Sequence, residues 1–404
     1  MKRKILFLEQ QSWLSGAQRV LEFVLDAIAE TYDPIVALPG EGPFRRTLSD
    51  RGIKTLTYPL GFYRTGRKSR LEMLTFGGRS ILCALKLAGV IRREDIGLVY
   101  VNGPRCLPAG VLAARLTGRP VLFHLHLTLV RKPEILLVAS LAHYVSAIVA
   151  CSRRAAGDIV NADRSLAGRV HILYNPVGGE PAIATKHVGP SPKANTYAPL
   201  TLGVVGRITK PKGQRIFLNA LGRLSPELKD KIRVIFVGSP SPDNVEDLIY
   251  NQRLKDCAAQ FNLSQKIQWA GYQTGVSVFY RAMDVLVHPS LWDAGESMPL
   301  AVLEALQHGV PVIASWAGGI PEVIHHGFNG LLVPPGNEVV LSRTLEHFLR
   351  DTSLRAHLRS GAQSGFDERF SIENFKTEIR ELIWKLCSTQ HARNSEAFRE
   401  EPAA

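Results

Sequence analysis

Cysteine is scarce in this chain and unpatterned. Five residues, Cys83, Cys106, Cys151, Cys257 and Cys387, make an odd number in 404, with no Cys-x-x-Cys or Cys-x-x-His spacing. Neither a zinc knuckle nor a disulfide framework is indicated, and a reducing cytosol is the expectation. Long hydrophobic runs are lacking too. The longest uncharged stretch, Ile135–Ser152, holds eighteen residues, but Ser140, His143, Tyr144 and Ser146 interrupt it. It reads as a helix followed by a strand over Ala147–Cys151 rather than as a membrane span. The apolar run in MKRKILFLEQQ is too short for a signal peptide and gives way at once to polar residues. No zinc-finger, RRM-like or long basic-helix pattern occurs, so nucleic acid is not an expected partner.

What is present is ordinary for a soluble globular chain. Hydrophobic residues make up 45% and charged residues 21%, with a mean hydropathy of +0.01, which excludes wholesale disorder and collagen. A length of 404 residues exceeds what one core holds and points to two domains. The net charge of +13 is uneven: residues 1–180 hold 25 Lys and Arg against 14 Asp and Glu, and the remainder 24 against 22. A basic first half favours an anionic partner, either a phosphorylated substrate or an anionic membrane surface.

Short β-branched runs alternate with amphipathic stretches along the chain, the rhythm of βαβ units and parallel sheets. In the first half Ile5–Leu8, Ile35–Leu38, Leu98–Val101, Val121–Leu125, Ala147–Cys151 and Val170–Leu173 read as strands. Gly178–Pro199, rich in Gly, Pro and small residues, reads as a linker. The alternation then resumes with Leu202–Val205, Ile232–Val237, Ile267–Ala270, Val285–Val287, Val310–Ala314 and Gly330–Val333. The expected division is therefore 1–180, a linker over 181–199, 200–365, a C-terminal helix over 366–388 and a polar, flexible tail over 389–404. Within that helix, Ile372, Phe375, Ile379, Leu382, Ile383 and Leu386 form one apolar face.

Chemistry concentrates in Pro289–Pro335. Glu296 and Glu304 stand eight residues apart, a spacing that places one acid at a loop-to-helix junction and the other two turns into the helix. The helix start offers free N–H groups to a phosphate. A second group, Gly206-Arg207-Ile208-Thr209-Lys210-Pro211-Lys212-Gly213, follows the first strand of the second half, where two cations and a helix N-terminus suit a diphosphate. No Asp-x-Asp occurs anywhere, so no metal is implied.

Arg207, Lys212, the Glu-x7-Glu pair and the following GVPVIAS and AGGIPE segments resemble the retaining glycosyltransferases of family 4. SGAQRV at 15–20, PVLFHLH at 120–126 and WAGY at 269–272 extend the resemblance over nearly the whole chain. It implies an α/β GT-B fold: two Rossmann-like, doubly wound domains facing across a cleft, with the C-terminal helix crossing back to the first domain. It assigns Arg207, Lys212 and Gly16 to the donor diphosphate, Glu304 to the nucleotide ribose, Tyr272 to the nucleobase, and Glu296 to the donor sugar. His126 is placed beside the reacting carbon. His124 would point the same way from an extended strand. Ser15 and Gln18 replace the usual glycine and glutamate of the first loop. Pro299 has no N–H to give, leaving the Met298 and Leu300 amides for the phosphate.

The implied activity is transfer of a sugar from a nucleotide-diphosphate sugar to a hydroxyl of a glycan or lipid-linked acceptor, with retention and with no cofactor or metal. The competing readings are a sugar-nucleotide epimerase or hydrolase and a non-catalytic sensor or scaffold. The intact set Glu296, Glu304, Arg207, Lys212 and His126 speaks against both. Acceptor binding falls to the basic first half, where Phe62–Arg70 precedes an apolar helix, and the expected location is cytoplasmic and peripheral on the inner face of a membrane.

Overall fold

The computed structural model describes residues 2–61, 69–178, 198–292, 295–364 and 367–397. The basic loop at 62–68, the linker up to residue 197 and the last seven residues lie outside the described residues. The chain divides into two compact units, Met1–Pro176 with Ser371–Ala404, and Val177–Phe370.

The first unit is built on seven parallel strands: β1 (Arg3–Glu9), β2 (Tyr32–Leu38), β3 (Lys54–Thr57), β4 (Ile96–Asn102), β5 (Val121–Leu125), β6 (Ala147–Ala150) and β7 (Val170–Ile172). They lie in the order β3-β2-β1-β4-β5-β6-β7. Helices α1 (Gly16–Ile28), α2 (Pro43–Asp50), α3 (Arg70–Arg93), α4 (Leu107–Thr117), α5 (Lys132–Ala142) and α6 (Arg153–Ala162) connect them. The order reverses between β1 and β4, and because parallel crossovers are right-handed, the reversal sends helices to opposite faces and opens a crevice at the strand ends. The central strands are apolar almost throughout: Ile5, Leu6, Phe7, Leu8, Leu98, Val99, Tyr100 and Val101 are all fully buried. Local signals set the helix starts. Ser69 and Glu72 form a reciprocal capping box at α3, and the Ser152 hydroxyl caps α6.

The second unit repeats the plan with six parallel strands, β8 (Leu200–Val205), β9 (Ile232–Val237), β10 (Ile267–Gly271), β11 (Val285–His288), β12 (Val312–Ser315) and β13 (Gly330–Val333). Their order is β10-β9-β8-β11-β12-β13, with the reversal between β8 and β11. The helices are α7 (Gln214–Gly222), α8 (Pro226–Asp230), α9 (Val245–Gln260), α10 (Ser277–Ala282), α11 (Leu300–Gln307), α12 (Glu338–Arg350) and α13 (Thr352–Gln363). The last helix, α14 (Ile372–Ala397), returns to the first unit and packs on α1. Phe375, Ile379, Ile383 and Cys387 form its buried stripe, a spacing of four that keeps one face inward.

Two elements of the first unit have no counterpart in the sequence reading. Strand β3 is an edge strand of sequence KTLT with no fully buried residue, and α2 has only eight residues, of which Phe44 and Leu48 are buried. Helix α14 runs on to Ala397, past the apolar spacing that ends near Cys387. The segment STQHARNSEA contains neither glycine nor proline to stop it. Ile135–Ser152 forms α5 and β6. The described helix with the length and composition to cross a membrane is instead Leu71–Arg93, a third of it buried. All five cysteines are free thiols.

Candidate functional site

The loops that leave β8 and β11, the two strands flanking the reversal, bring together residues 84 apart in sequence. Lys212 Nζ donates to Glu296 Oε1 in a short ion pair. The Ser290 hydroxyl donates to the same oxygen at 2.8 Å. His288 Nε2 lies 3.3 Å from it and 3.1 Å from Ser290 Oγ. Burial alone would raise the Glu296 carboxyl, but the Lys212 ammonium and the His288 imidazole outweigh it and hold it below the carboxylate range. Glu296 is therefore an anion at neutral pH. Its contribution to stability is complete above the ordinary glutamate value near 4.5 and is lost only as pH falls through the depressed folded-state value.

Two glycines allow the loops to meet. Gly213 has φ +71°, and a Cβ there would strike the Pro289 carbonyl oxygen; Gly318 has φ +55°, and a Cβ there would strike the carbonyl oxygen of Glu296 itself. Only glycine combines this backbone with this approach.

Arg207, in the same loop as Lys212, is exposed; its carbonyl accepts from Gln214 Nε2 at 2.9 Å. Met298 is buried, and Leu300 opens α11 behind Pro299, so its amide is among those a helix start leaves without an internal acceptor. Glu304 sits on α11, where Oε2 accepts from the Tyr280 hydroxyl at 2.7 Å. Tyr280 in turn stacks on His308 with ring centroids 5.3 Å apart. Tyr272 is exposed directly after β10. The structure thus pairs Lys212 with Glu296 and gives Glu304 separate partners.

The first unit carries a second buried carboxylate at its own reversal. Glu9 ends β1, Asn102 ends β4, and the two are register partners; Asn102 is in turn the register partner of His124 on β5. Glu9 Oε1 accepts from the Gln10 and Gln11 amides at 2.7 and 3.2 Å and from Gln18 Nε2 at 2.8 Å. Glu9 Oε2 accepts from Asn102 Nδ2 at 2.5 Å, and Asn102 Oδ1 lies 2.6 Å from His126 Nε2. Burial outweighs the four donors and raises Glu9 to about 7. Burial also lowers His126 to about 3 and, with His126 beside it, drives His124 well below its ordinary value, so both imidazoles are neutral. Their rings lie 3.8 Å apart. His124 is fully buried with Nδ1 on the Tyr100 hydroxyl at 2.5 Å, whereas His126 is part-exposed as a residue. Gly16, at the first position of α1, is exposed, and the Ser15 hydroxyl donates to Gln18. The two residues that depart from the expected loop therefore support Glu9.

Sequence reading missed Glu9, Asn102, Tyr280, His288 and Ser290. A signal for two of them was present: His288 ends β11 and Ser290 follows it two residues on, a spacing that keeps side chains on one side of an extended chain. Glu9 and Asn102 are single polar residues at the ends of apolar strands, visible only once β1 and β4 are known to be neighbours.

The Lys212–Glu296 pair generates an asymmetric expectation. The Glu296 side chain is 8% exposed and that of Lys212 27%. Lys212→Met should cost about 3 kcal/mol by stranding a buried carboxylate, Glu296→Gln clearly less, and the double variant little more than Glu296→Gln alone. Denaturant unfolding of the three variants measures this, and additive losses would contradict it.

Two family models match the chain: Glycosyltransferase Family 4 over residues 14–178 and Glycosyl transferases group 1 over residues 193–365. Among curated proteins, a D-inositol 3-phosphate glycosyltransferase of Salinispora arenicola is 30% identical over 230 residues, covering 54% of this chain and 50% of the relative. WcaL of Escherichia coli, which carries the name of a colanic acid biosynthesis glycosyltransferase, is 26% identical over 360 residues, covering 84% and 82%. The chain spans about a third to a half of the length of the D-inositol 3-phosphate glycosyltransferases it matches. Among solved structures, Anabaena HepE in complex with UDP-glucose superposes with a TM-score of 0.76 at 23% identity, covering 95% of this chain and 99% of that one. One family model falls on each parallel-sheet unit, and the chain belongs to glycosyltransferase family 4, with the GT-B fold.

Proposed function

We propose that this chain is a retaining, metal-independent glycosyltransferase that moves a sugar from a nucleotide-diphosphate sugar to a hydroxyl of a glycan or lipid-linked acceptor. The observation that carries the reading is the Lys212–Glu296 pair at the strand-order reversal of the second unit, the place where open α/β sheets bind ligands. An anionic Glu296 suits donor-sugar hydroxyls, which donate to it as Ser290 now does. Lys212 and the exposed Arg207 suit the diphosphate, and Glu304 and Tyr272 the ribose and base. HepE is recorded with UDP and UDP-glucose, so a uridine diphosphate sugar is the first donor to test.

The chemistry follows from charge. As the bond from the anomeric carbon to the phosphate oxygen breaks, negative charge grows on the diphosphate and positive charge on the ring. Two cations at the former and a carboxylate near the latter lower the barrier, a role a metal plays elsewhere. The acceptor oxygen forms its bond on the face the phosphate leaves, and the departing phosphate oxygen takes the acceptor proton. His126, neutral, offers a hydrogen bond rather than a charge to the reacting groups.

Lys212→Ala and Arg207→Ala should each weaken uridine diphosphate binding in calorimetric titration and lower kcat/KM by about 2–4 kcal/mol in transition-state terms. Unchanged affinity and rate in both would refute the diphosphate assignment. Transfer should also survive EDTA, and loss of activity restored by Mg²⁺ or Mn²⁺ would refute the metal-free mechanism.

The first unit is read as the acceptor side, peripheral on an anionic membrane. Helix α3 leaves Leu71, Met73, Leu74, Ile81, Leu82 and Leu85 exposed, and α5 leaves Leu136 and Leu137 exposed. Helix α4 contacts both. Arg79, Lys86, Lys132 and Arg131 are exposed on the same two helices or at their start. Exposed leucines and cations on the same two helices suit insertion into a headgroup layer, at roughly 1.5–3 kcal/mol for each side chain fully removed from water and about 1 kcal/mol for each basic residue near the surface. Sedimentation with anionic vesicles should pull down the wild type, less so in high salt, and Leu74→Glu with Leu85→Glu should abolish it. Binding that ignores both changes would place the membrane surface elsewhere.

A further inference from the structure

Glu9 and Asn102 lie outside the donor chemistry above, yet they form a chain of short hydrogen bonds that ends on His126. The direction of that chain follows from the donors and acceptors each group possesses. An ionised Glu9 can only accept. Its Oε1 already takes three N–H groups, and its Oε2 takes the Asn102 amide at 2.5 Å. The Nδ2 of Asn102 therefore faces Glu9 and the Oδ1 faces His126. A carbonyl oxygen can only accept, so the His126 nitrogen 2.6 Å away carries the proton. The single proton of the neutral imidazole is then on Nε2, and Nδ1 holds a lone pair. Among the described residues that Nδ1 has no hydrogen-bond partner although it is shut away from solvent.

We propose that Glu9 and Asn102 are positioning residues that fix His126 in its Nε2–H tautomer, so that the Nδ1 lone pair is the group that accepts a hydroxyl of the sugar substrates. The proposal rests on the glycosyltransferase reading for its substrate, but not for its geometry.

The relay is reversible, and its state depends on one proton. If Glu9 Oε2 gains a proton it becomes a donor, and Asn102 must turn Oδ1 toward it. Nδ2 then faces His126 Nε2, which must become an acceptor. The imidazole keeps one proton in all: the one lost from Nε2 is replaced by one on Nδ1, and the lone pair offered to substrate disappears. Burial sets this proton uptake near pH 7. The other ionisable groups around Glu9 do not compete. Tyr58, whose hydroxyl donates to the Glu9 carbonyl at 2.7 Å, Tyr100 and Cys106 are all kept neutral by burial. Arg105 is engaged with the Gln10 carbonyl at 3.1 Å, and His124 and His126 are neutral. From α1 the group facing Glu9 is the uncharged Gln18.

Glu9→Gln tests the relay with a nearly isosteric side chain. Its amide oxygen can keep the Gln10, Gln11 and Gln18 donors, and its NH2 then faces Asn102 as a permanent donor, the counterpart of protonated Glu9. Nitrogen-15 NMR of histidine-labelled protein, with the His126 signals assigned by their loss in His126→Gln, reads the tautomer without any substrate. Wild type at pH 8.5 should show the Nε2–H form, and Glu9→Gln the Nδ1–H form at the same pH. Asn102→Leu should show neither form fixed. Should Glu9→Gln fail to fold, the wild type titrated from pH 8.5 to 5.5 carries the same test, with the tautomer inverting through about pH 7. A wild-type Nδ1–H form at pH 8.5, or one tautomer throughout the variants and the titration, overturns the relay. The activity profile is a separate reading: the relay predicts a fall in kcat through about pH 7 that Glu9→Gln lacks. An inverting tautomer with no transfer activity would refute the enzyme reading and leave the relay standing.

Discussion

A carboxylate removed from water must find either a cation or a set of N–H and O–H donors, and this requirement organises both units of the chain. In the second unit Glu296 finds Lys212, Ser290 and His288; in the first, Glu9 finds two backbone amides, Gln18 and Asn102. Each carboxylate lies beside the reversal of strand order, where the loops of two central strands diverge and leave a crevice. The two solutions differ in consequence. A cation keeps Glu296 ionised at any neutral pH, whereas neutral donors leave Glu9 poised near 7. The same fold thereby supplies one fixed charge and one proton-sensitive group.

The glycines show how tightly the first of these sites is assembled. Gly213 lies against Pro289, and Gly318 against Glu296, in backbone conformations that disfavour side chains. The loop after β8, the loop after β11 and the turn after β12 are therefore packed backbone to backbone. The backbone positions from which Lys212 and Glu296 reach each other are set by this loop packing. A preorganised charge is worth more in catalysis than one that must be gathered when substrate arrives.

Much of this was legible in the sequence. Twelve of the thirteen strands follow from β-branched runs between turn signals, because strands buried on both faces read as continuous apolar segments. The exception, β3, is a polar edge strand with only half its surface to bury. Of the site, Arg207, Lys212 and Glu296 were visible because they sit in loops among glycines and prolines, and Glu304 because it stands eight residues after Glu296. The pairing of Lys212 with Glu296, 84 residues apart, was not, since it depends on β8 and β11 being neighbours. Glu9 and Asn102 were hidden for the same reason: a lone polar residue ending an apolar strand carries no local pattern. The apolar character of α3 was legible, but not which of its leucines stay exposed, because the same spacing suits a buried helix and a surface-seeking one equally well.

The central claim is that the buried Glu296 and its Lys212 partner form the donor site. A crystal structure of the protein grown with uridine diphosphate tests it most directly. The account predicts diphosphate density with an oxygen about 3 Å from Lys212 Nζ, the Arg207 guanidinium turned toward it, and Glu296 still within the same loop contacts. Nucleotide bound away from the loops after β8 and β11, with the Lys212–Glu296 pair undisturbed and Arg207 still facing solvent, would contradict it.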